Sequence, residues 1–151
     1  MVTPLSVDDI AMAALLRAAR TAYAHAVREA LRAADFDDMP KNGAYVIGAI
    51  SRAGAPLSAI IKGLGVSKQA AGQLIDTLVL RGYLERLTDD DDRRRLTVSL
   101  TARGKAAAAV QRKAADAVDA KLKKRVGEKA VSTAREVLFT LIAIDNERQL
   151  P

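Results

Sequence analysis

A chain of 151 residues, half of them apolar, is long enough for one domain with a real core and too short for two domains of typical size. It contains no cysteine and one histidine, which excludes disulfides, thiolate metal sites and thiol-based redox sensing, and leaves little for a metal centre. The net charge of +6 favours a polyanionic partner. Residues 1–151 are therefore expected to form a single domain without a cofactor.

The N-terminal segment, residues 8–35, predicts a long amphipathic helix. Ser6 or Asp8 is placed to cap a helix that begins near Asp9. Four arginines lie outside the apolar stripe and no cleavage-site pattern follows, which argues against a signal or membrane segment and favours a cytoplasmic protein. The stripe consists of Met12, Leu16, Ala19, Tyr23, Ala26, Val27, Ala30 and Ala34.

Two breaks enclose the next apolar run. The segment 35–42 contains Asp37, Asp38, Pro40 and Asn42, which is typical of a loop. Residues 43–52 are apolar enough for a short helix, and Ala-Gly-Ala-Pro at 53–56 interrupts it. This helix would lead into the part of the chain that carries the motifs.

Residues 57–82 predict two short helices joined by a tight turn. The first is indicated by four apolar residues at helical spacing, and Gly65 can take the left-handed conformation that ends it. Ser67 stands where its hydroxyl can cap the second helix, and Gly82 follows its end. This order predicts a helix-turn-helix, with Ala70, Ala71, Leu74, Ile75 and Leu78 as the apolar stripe of the second helix.

The opposite face of the second helix is polar and carries Lys68, Gln69, Gly72, Gln73 and Asp76. Its first turn suits phosphates and base edges, because the positive end of the peptide dipoles lies there. Gly72 either allows close approach to DNA or is a neutral exposed position. Asp76 is interpreted as structural, paired with a nearby basic group.

Two strands follow, over residues 83–88 and 96–100, and apolar and polar residues alternate in the second. Their connection is the charged run Asp-Asp-Asp-Asp-Arg-Arg-Arg at 89–95. A basic hairpin tip beside a helix-turn-helix is a wing, and an arginine there suits a narrow minor groove. The aspartates at 89–91 are interpreted as a solvated turn.

The C-terminal third predicts two further helices. Thr101 can cap the first, which is rich in alanine and lysine, and Gly127 separates it from a helix over residues 128–148. The last helix has an apolar stripe that needs a partner. Basic residues at 121–125 are interpreted as a solvated face rather than a phosphate site.

The run LGVSKQAAGQLIDTLVLRGYLER, Asp92-Arg93-Arg94 in the wing and Leu100-Thr101-Ala102-Arg103-Gly104 after it resemble the MarR family of bacterial transcriptional regulators. The resemblance implies a mainly α fold with a small β wing. It also implies a DNA-binding lobe at 41–104, and dimerisation helices at 8–35 and 105–148 that interlock two chains.

The same resemblance assigns site residues. Arg94 would enter the minor groove, Asp92 would orient it, and Arg86 would approach the phosphate backbone. The DNA-binding set is Ser67, Lys68, Gln69, Gly72, Gln73, Arg86, Asp92, Arg93, Arg94 and Arg95. A small aromatic effector would bind between the dimerisation helices and the DNA-binding lobe, and Tyr23, Phe36 and Tyr45 are candidates for its pocket by location, with ordinary core packing as the alternative.

The distribution of charge supports a nucleic-acid partner only weakly. Eight Lys and Arg stand against six Asp and Glu over residues 67–105, whereas nine stand against three over residues 102–129. A helical interaction protein or membrane-surface binder would explain the second segment but not the wing. An enzyme is disfavoured, because there is no cysteine, a single histidine and no phosphate-binding glycine loop. The sequence therefore predicts a homodimeric, sequence-specific DNA-binding regulator, most simply a repressor.

Overall fold

The computed structural model describes residues 6–53, 57–87 and 97–148. In these ranges, six helices and two strands follow a short 3₁₀ turn at Val7–Asp9. The helices are α1 (Met12–Ala33), α2 (Gly43–Ala53), α3 (Leu57–Leu64), α4 (Lys68–Leu80), α5 (Ala102–Val126) and α6 (Glu128–Arg148). The strands β1 (Leu84–Leu87) and β2 (Thr97–Leu100) form the antiparallel hairpin between α4 and α5. The expected mainly α fold with a small β element is confirmed.

The first helix begins later than the sequence predicted. The Ser6 hydroxyl accepts a hydrogen bond from the Asp8 amide at 3.3 Å, and the Asp9 carboxylate accepts one from the Ser6 amide at 3.0 Å. These bonds cap the 3₁₀ turn, and Ile10 is then extended, so α1 cannot continue from it. The predicted start near Asp9 is therefore wrong, and α1 starts at Met12 without a side-chain cap.

The helix-turn-helix is confirmed at the predicted residues. Gly65 has φ +64° and follows α3 directly. The Ser67 hydroxyl accepts from the Ala70 amide at 3.1 Å, which satisfies one of the free donors in the first turn of α4. Gly82, with φ +73°, lies beyond the end of α4 and lets the chain turn back into β1.

One apolar core joins α1 to the helix-turn-helix and the hairpin. The fully buried side chains of α4 are Ala71, Ile75 and Leu78, with Leu74 partly buried. Ala70 is exposed, so its assignment to the apolar stripe is wrong: it lies on the edge of the polar face. The buried residues that meet those of α4 are Leu31, Val46, Ile47, Ile60, Tyr83, Leu84, Leu100, Ala107 and Ala108.

The hairpin pairs Leu84 with Leu100 and Glu85 with Ser99, and continues to Leu87 opposite Thr97. Leu84 and Leu100 point into the core, whereas Glu85, the next residue after Leu84, is exposed. Because successive side chains alternate between the two faces of a strand, this register anchors the base of the hairpin in the core. The predicted strand ends at residues 88 and 96 lie outside the described residues.

Contacts between Cα atoms divide the chain into two units, Met1–Ala115 and Asp116–Pro151. In the second unit, Gly127 (φ +86°) separates the end of α5 from α6. Ion pairs join Lys123 to Glu128 at 3.3 Å and Asp119 to Arg135 at 3.5 Å across this turn. Within the described residues, no helix is both long enough and apolar enough to cross a membrane.

Candidate nucleic-acid interface

The first half of α4 presents an exposed surface that is mostly polar. Ser67, Lys68, Gln69 and Gln73 are all exposed, while Ala71 and Ile75 on the opposite side are buried. The buried side fixes the rotation of the helix, so the polar side chains are held outward. An outward first turn with free backbone amides, a lysine and two glutamines can offer donors and acceptors to phosphates and base edges.

Gly72 lies between the glutamines on this surface. No atom lies within 4 Å of the position that a Cβ at Gly72 would take, so packing does not require glycine here. A glycine in the interior of a helix costs about 1 kcal/mol relative to alanine. The open space leaves a smooth strip of backbone between the polar side chains.

Asp76 is paired with Arg86 of β1, as expected for a structural role. The Arg86 guanidinium donates a hydrogen bond to the Asp76 carboxylate. Both side chains remain more than half exposed, at 51% for Arg86 and 66% for Asp76, so the pair contributes at most about 1 kcal/mol to stability. Its effect is geometric, because it links the wing strand to α4 on the side where the polar surface lies.

The tip of the wing carries the remaining predicted contact residues. Asp92, Arg93, Arg94 and Arg95 lie outside the described residues, and so do the aspartates at 89–91. The structure describes the two strands, β1 and β2, on either side of this segment. A hydrogen bond of 2.9 Å from the Ser99 hydroxyl to the Glu85 carboxylate spans the two strands there.

A second polar cluster lies behind α4, and it was not predicted from the sequence. We call it the Asp38 cluster: it consists of Asp38 from the α1–α2 loop, Arg81 and Tyr83 from the end of α4, and Arg103 from the first turn of α5. The Tyr83 hydroxyl donates to the Asp38 carboxylate at 2.5 Å, and Arg103 donates to both oxygens of that carboxylate, at 3.0 and 3.2 Å. Arg103 also lies over the Tyr83 ring, 4.3 Å from its centre.

The environment of the cluster shifts the pKa of three groups. The hydrogen bond from Tyr83 and those from Arg103 hold the pKa of Asp38 below its ordinary value. Burial, together with the hydrogen bond to Asp38, raises the pKa of Tyr83 to about 12. The hydrogen bond to Asp38 raises the pKa of Arg103. At neutral pH the cluster is therefore a carboxylate held by a neutral phenol and a guanidinium.

The turn into α5 packs tightly against the same place. The Thr101 hydroxyl donates to the Gly82 carbonyl at 2.5 Å and accepts from the Gly104 amide at 3.0 Å, which confirms Thr101 as the cap of α5. Gly104 is buried, and a Cβ there would collide with the Tyr83 carbonyl oxygen and come within 3.1 Å of Leu100. Glycine is required because the backbone of α5 touches the backbone that follows α4.

The candidate effector residues have different surroundings. Phe36 is partly buried and its ring centre lies 6.2 Å from that of Tyr83, within the core. Tyr45 is 42% exposed, and its hydroxyl lies over Gly63 of α3. Tyr23 is half-buried on α1. Packing accounts for Phe36, and a pocket role for these three residues stays a prediction.

A helix-turn-helix with an exposed polar second helix, followed directly by an antiparallel hairpin, defines a winged helix-turn-helix protein. The sequence profile of the MarR family matches residues 37–95 of the chain, which span the lobe just described. Over these residues the chain is similar to the MarR family, and its fold is the MarR-like winged helix. In the described residues, no group of His, Cys, Asp and Glu is arranged to hold a metal ion.

Solved structures share the fold over most of the chain. FabT of Streptococcus pneumoniae, in complex with DNA, is 20% identical, with a TM-score of 0.69 and coverage of 89% of this chain and 97% of FabT. MarR of E. coli is 23% identical, with a TM-score of 0.66 and coverage of 87% and 97%. A MarR family protein of Mycobacterium tuberculosis, in complex with salicylic acid, is 22% identical, with a TM-score of 0.61 and coverage of 90% and 99%. No curated protein sequence matches the chain.

Proposed function

We propose that the chain is a homodimeric regulator that binds a roughly palindromic duplex site and represses transcription from it. The observation that carries this proposal is the outward polar surface of α4, held in rotation by three buried side chains on its other side. A recognition helix needs this combination: a fixed buried face, and an exposed face with charged and amide side chains.

The proposed reading surface combines α4 with the wing. Lys68 and Ser67 contact phosphates, while Gln69 and Gln73 face base edges in the major groove. Arg94 at the wing tip enters the adjacent minor groove, oriented by Asp92 and flanked by Arg93 and Arg95. Arg86 is held by Asp76. It therefore approaches the phosphate backbone as part of an ion pair. The main role of this pair is to fix the angle between the wing and α4.

Dimerisation is supported by the apolar surface of α6. Large apolar side chains there are 41–73% exposed within one chain, and Val131 alone is buried among the described residues of that helix. Exposed apolar side chains in this number mark an interaction surface. The exposed residues are Val137, Leu138, Phe139, Leu141, Ile142 and Ile144. We propose that a second copy covers them, so that two recognition helices lie about 34 Å apart.

A small aromatic molecule is proposed as the effector. The M. tuberculosis protein named above holds salicylic acid, which supports an aromatic carboxylate as the class to test. In the described part of the chain, the Gln111 side chain of α5 lies against Gly48 of α2, with its Oε1 atom buried and without a hydrogen-bond partner. A ligand that binds more tightly to one spacing of the two recognition helices would change DNA affinity by its differential binding.

Selection from a random duplex pool tests the proposal directly. The purified chain is expected to enrich an inverted repeat whose half-sites lie about one helical turn apart, since each chain of a twofold dimer reads one half-site. Binding then falls with salt for all duplexes, while the selected site keeps its advantage. If no motif is enriched, and the chain binds anionic vesicles as well as it binds duplex DNA, the result would instead support a basic interaction protein.

The oligomeric state is tested by sedimentation. Leu141→Glu places a carboxylate on the exposed apolar face of α6 and is expected to convert the dimer to a monomer. Leu80→Glu is the matched control, because Leu80 is 87% exposed at the end of α4 and the substitution is the same. A monomeric wild-type chain at micromolar concentration, or dissociation by both variants alike, contradicts the proposed interface.

Since the MarR family is bacterial, the expected location is the cytoplasm, where the chromosome lies.

A further inference from the structure

The end of α4 is attached to the rest of the lobe by side chains from two distant segments. Arg81, the residue after α4, donates from its guanidinium to the Asp38 carbonyl, 43 residues away. The Arg81 carbonyl accepts from Arg103, which holds the Asp38 carboxylate across 65 residues of chain. Tyr83, two residues further on, bonds to the same carboxylate. Asp38 is thus the point where all three connections meet.

This attachment lies at the opposite end of α4 from the proposed reading surface. A helix of 13 residues is about 20 Å long. A tilt of roughly 5° about its C-terminal end would move its first turn by roughly 1.7 Å, which exceeds the tolerance of about 0.5 Å for hydrogen bonds. Contacts that fix the C-terminal end therefore set the accuracy with which Lys68, Gln69 and Gln73 are placed.

We propose that Asp38 is a positioning residue for sequence reading: it fixes the angle of α4 through Arg103, Arg81 and Tyr83 without touching DNA. The inference rests on the proposed function and identifies a residue on which its specificity depends. The carboxylate accepts hydrogen bonds from Arg103 at two oxygens and from Tyr83 at one of them. An amide in its place can offer only one acceptor oxygen, so part of the attachment is lost.

The direction in which DNA affinity changes in Asp38→Asn separates a positioning role from a purely electrostatic one. Asp38→Asn removes one negative charge and frees a guanidinium, which by charge alone strengthens binding to every duplex. A positioning role instead predicts that affinity for the specific site falls, while affinity for random duplex does not change. The Asp38 and Arg103 side chains are 39% and 37% exposed, so their pairing contributes little to the free energy of unfolding, and the folded dimer is expected to persist.

The test compares Asp38→Asn with Asp37→Asn, a matched control that removes the same charge at the neighbouring, exposed position. Asp38→Asn is expected to lower affinity for the selected site roughly tenfold and leave affinity for random duplex within about twofold. Arg103→Lys keeps the charge but cannot hold both carboxylate oxygens, so it is expected to lower affinity for the selected site in the same way. Combining Asp38→Asn with Arg103→Lys is expected to cause no further loss of that affinity. An unchanged or increased specific affinity in both single variants would overturn the inference, as would an equal loss on both duplexes.

Hydrogen exchange without DNA distinguishes failure of the inference from failure of the proposed function. Amides at the end of α4 and in the turn to β1, residues 77–83, are expected to exchange faster in Asp38→Asn and Arg103→Lys than in Asp37→Asn. Equal exchange in all three variants would show that Asp38 does not fix the helix, whether or not the chain binds DNA. A wild-type chain without a specific site would overturn the proposed function, and with it the role of Asp38 in reading.

Discussion

The guanidinium of Arg103 holds both carboxylate oxygens of Asp38, at 3.0 and 3.2 Å, while lying 4.3 Å from the centre of the Tyr83 ring. One side chain thereby satisfies an acceptor and covers an aromatic face. Such a contact joins the α1–α2 loop, the turn after α4 and the start of α5. Its consequences for stability can be measured without any knowledge of the DNA site.

The Tyr83 hydroxyl is expected to stabilise the folded chain up to alkaline pH. Its pKa is about 12 in the folded chain, against an ordinary value of 10, so folding favours the protonated phenol by roughly 2 to 3 kcal/mol. This contribution is complete below pH 10 and is lost as the pH rises through 12. The difference in unfolding free energy between wild type and Tyr83→Phe, from urea titrations, is expected to shrink over that interval. A difference that is constant with pH would contradict the raised pKa of Tyr83, which burial and the hydrogen bond to Asp38 produce together.

The Asp38 carboxylate is expected to stabilise the folded chain at neutral pH and to lose this contribution at acid pH. Its pKa is lowered in the folded state, so its contribution is present above the unfolded pKa and is lost as the pH falls through the folded pKa. Because the side chain is partly exposed, the advantage of wild type over Asp38→Asn is expected to be at most about 1 kcal/mol at neutral pH. Thermal unfolding of both proteins from pH 7 down to pH 2 should show the two converging. An advantage that grows on acidification would be inconsistent with a charged Asp38.

Two glycines in helices are expected to respond oppositely to alanine. At Gly104 a Cβ would collide with the Tyr83 carbonyl, so Gly104→Ala is expected to cost about 2 kcal/mol or more. At Gly72 the space is open, so Gly72→Ala is expected to stabilise by about 1 kcal/mol. If the bare backbone at Gly72 approaches DNA, the same variant lowers affinity for the selected site. Urea titrations and a DNA titration give the two readouts, and equal stability changes at the two positions would refute the packing argument.

The hydroxyl of Ser67 is expected both to cap α4 and to contact DNA, and two substitutions separate these roles. Ser67→Ala removes the cap of α4 and is expected to cost about 1 kcal/mol of stability. Ser67→Asp keeps a capping oxygen but brings a negative charge to the surface that would face phosphates. It is therefore expected to retain stability and to lose DNA affinity at low salt. Unimpaired DNA binding by Ser67→Asp would place the first turn of α4 away from the duplex.

Local signals in the sequence were sufficient for the elements of the lobe. Gly65, Ser67 and Gly82 stand where the structure has a left-handed turn, a cap and a second left-handed turn. These features depend on single residues and their immediate neighbours, so the sequence predicts them well. Ala70 was misassigned because the width of an apolar stripe depends on what packs against it. The wing tip, with Arg94, lies outside the described residues and remains a prediction.

The Asp38 cluster could not be predicted, because its members are far apart along the chain. Asp38 had the features of an ordinary loop residue, and Arg103 those of a basic residue at a helix start. Only the fold brings them within 3.0 Å of each other. The interpretation of Asp76 as half of an ion pair was correct, although its partner became evident only once β1 was placed beside α4.

The central claim is that the exposed polar surface of α4 reads duplex DNA. It is tested most directly by titrating the selected duplex, and a scrambled duplex, with wild type and with a Gln69→Ala, Gln73→Ala double variant at fixed salt. Each glutamine that contacts a base contributes about 1 to 3 kcal/mol of discrimination. The double variant is therefore expected to lose at least tenfold in affinity for the selected duplex and to bind the scrambled one as wild type does. Equal affinities of the two proteins for the selected duplex would contradict the account.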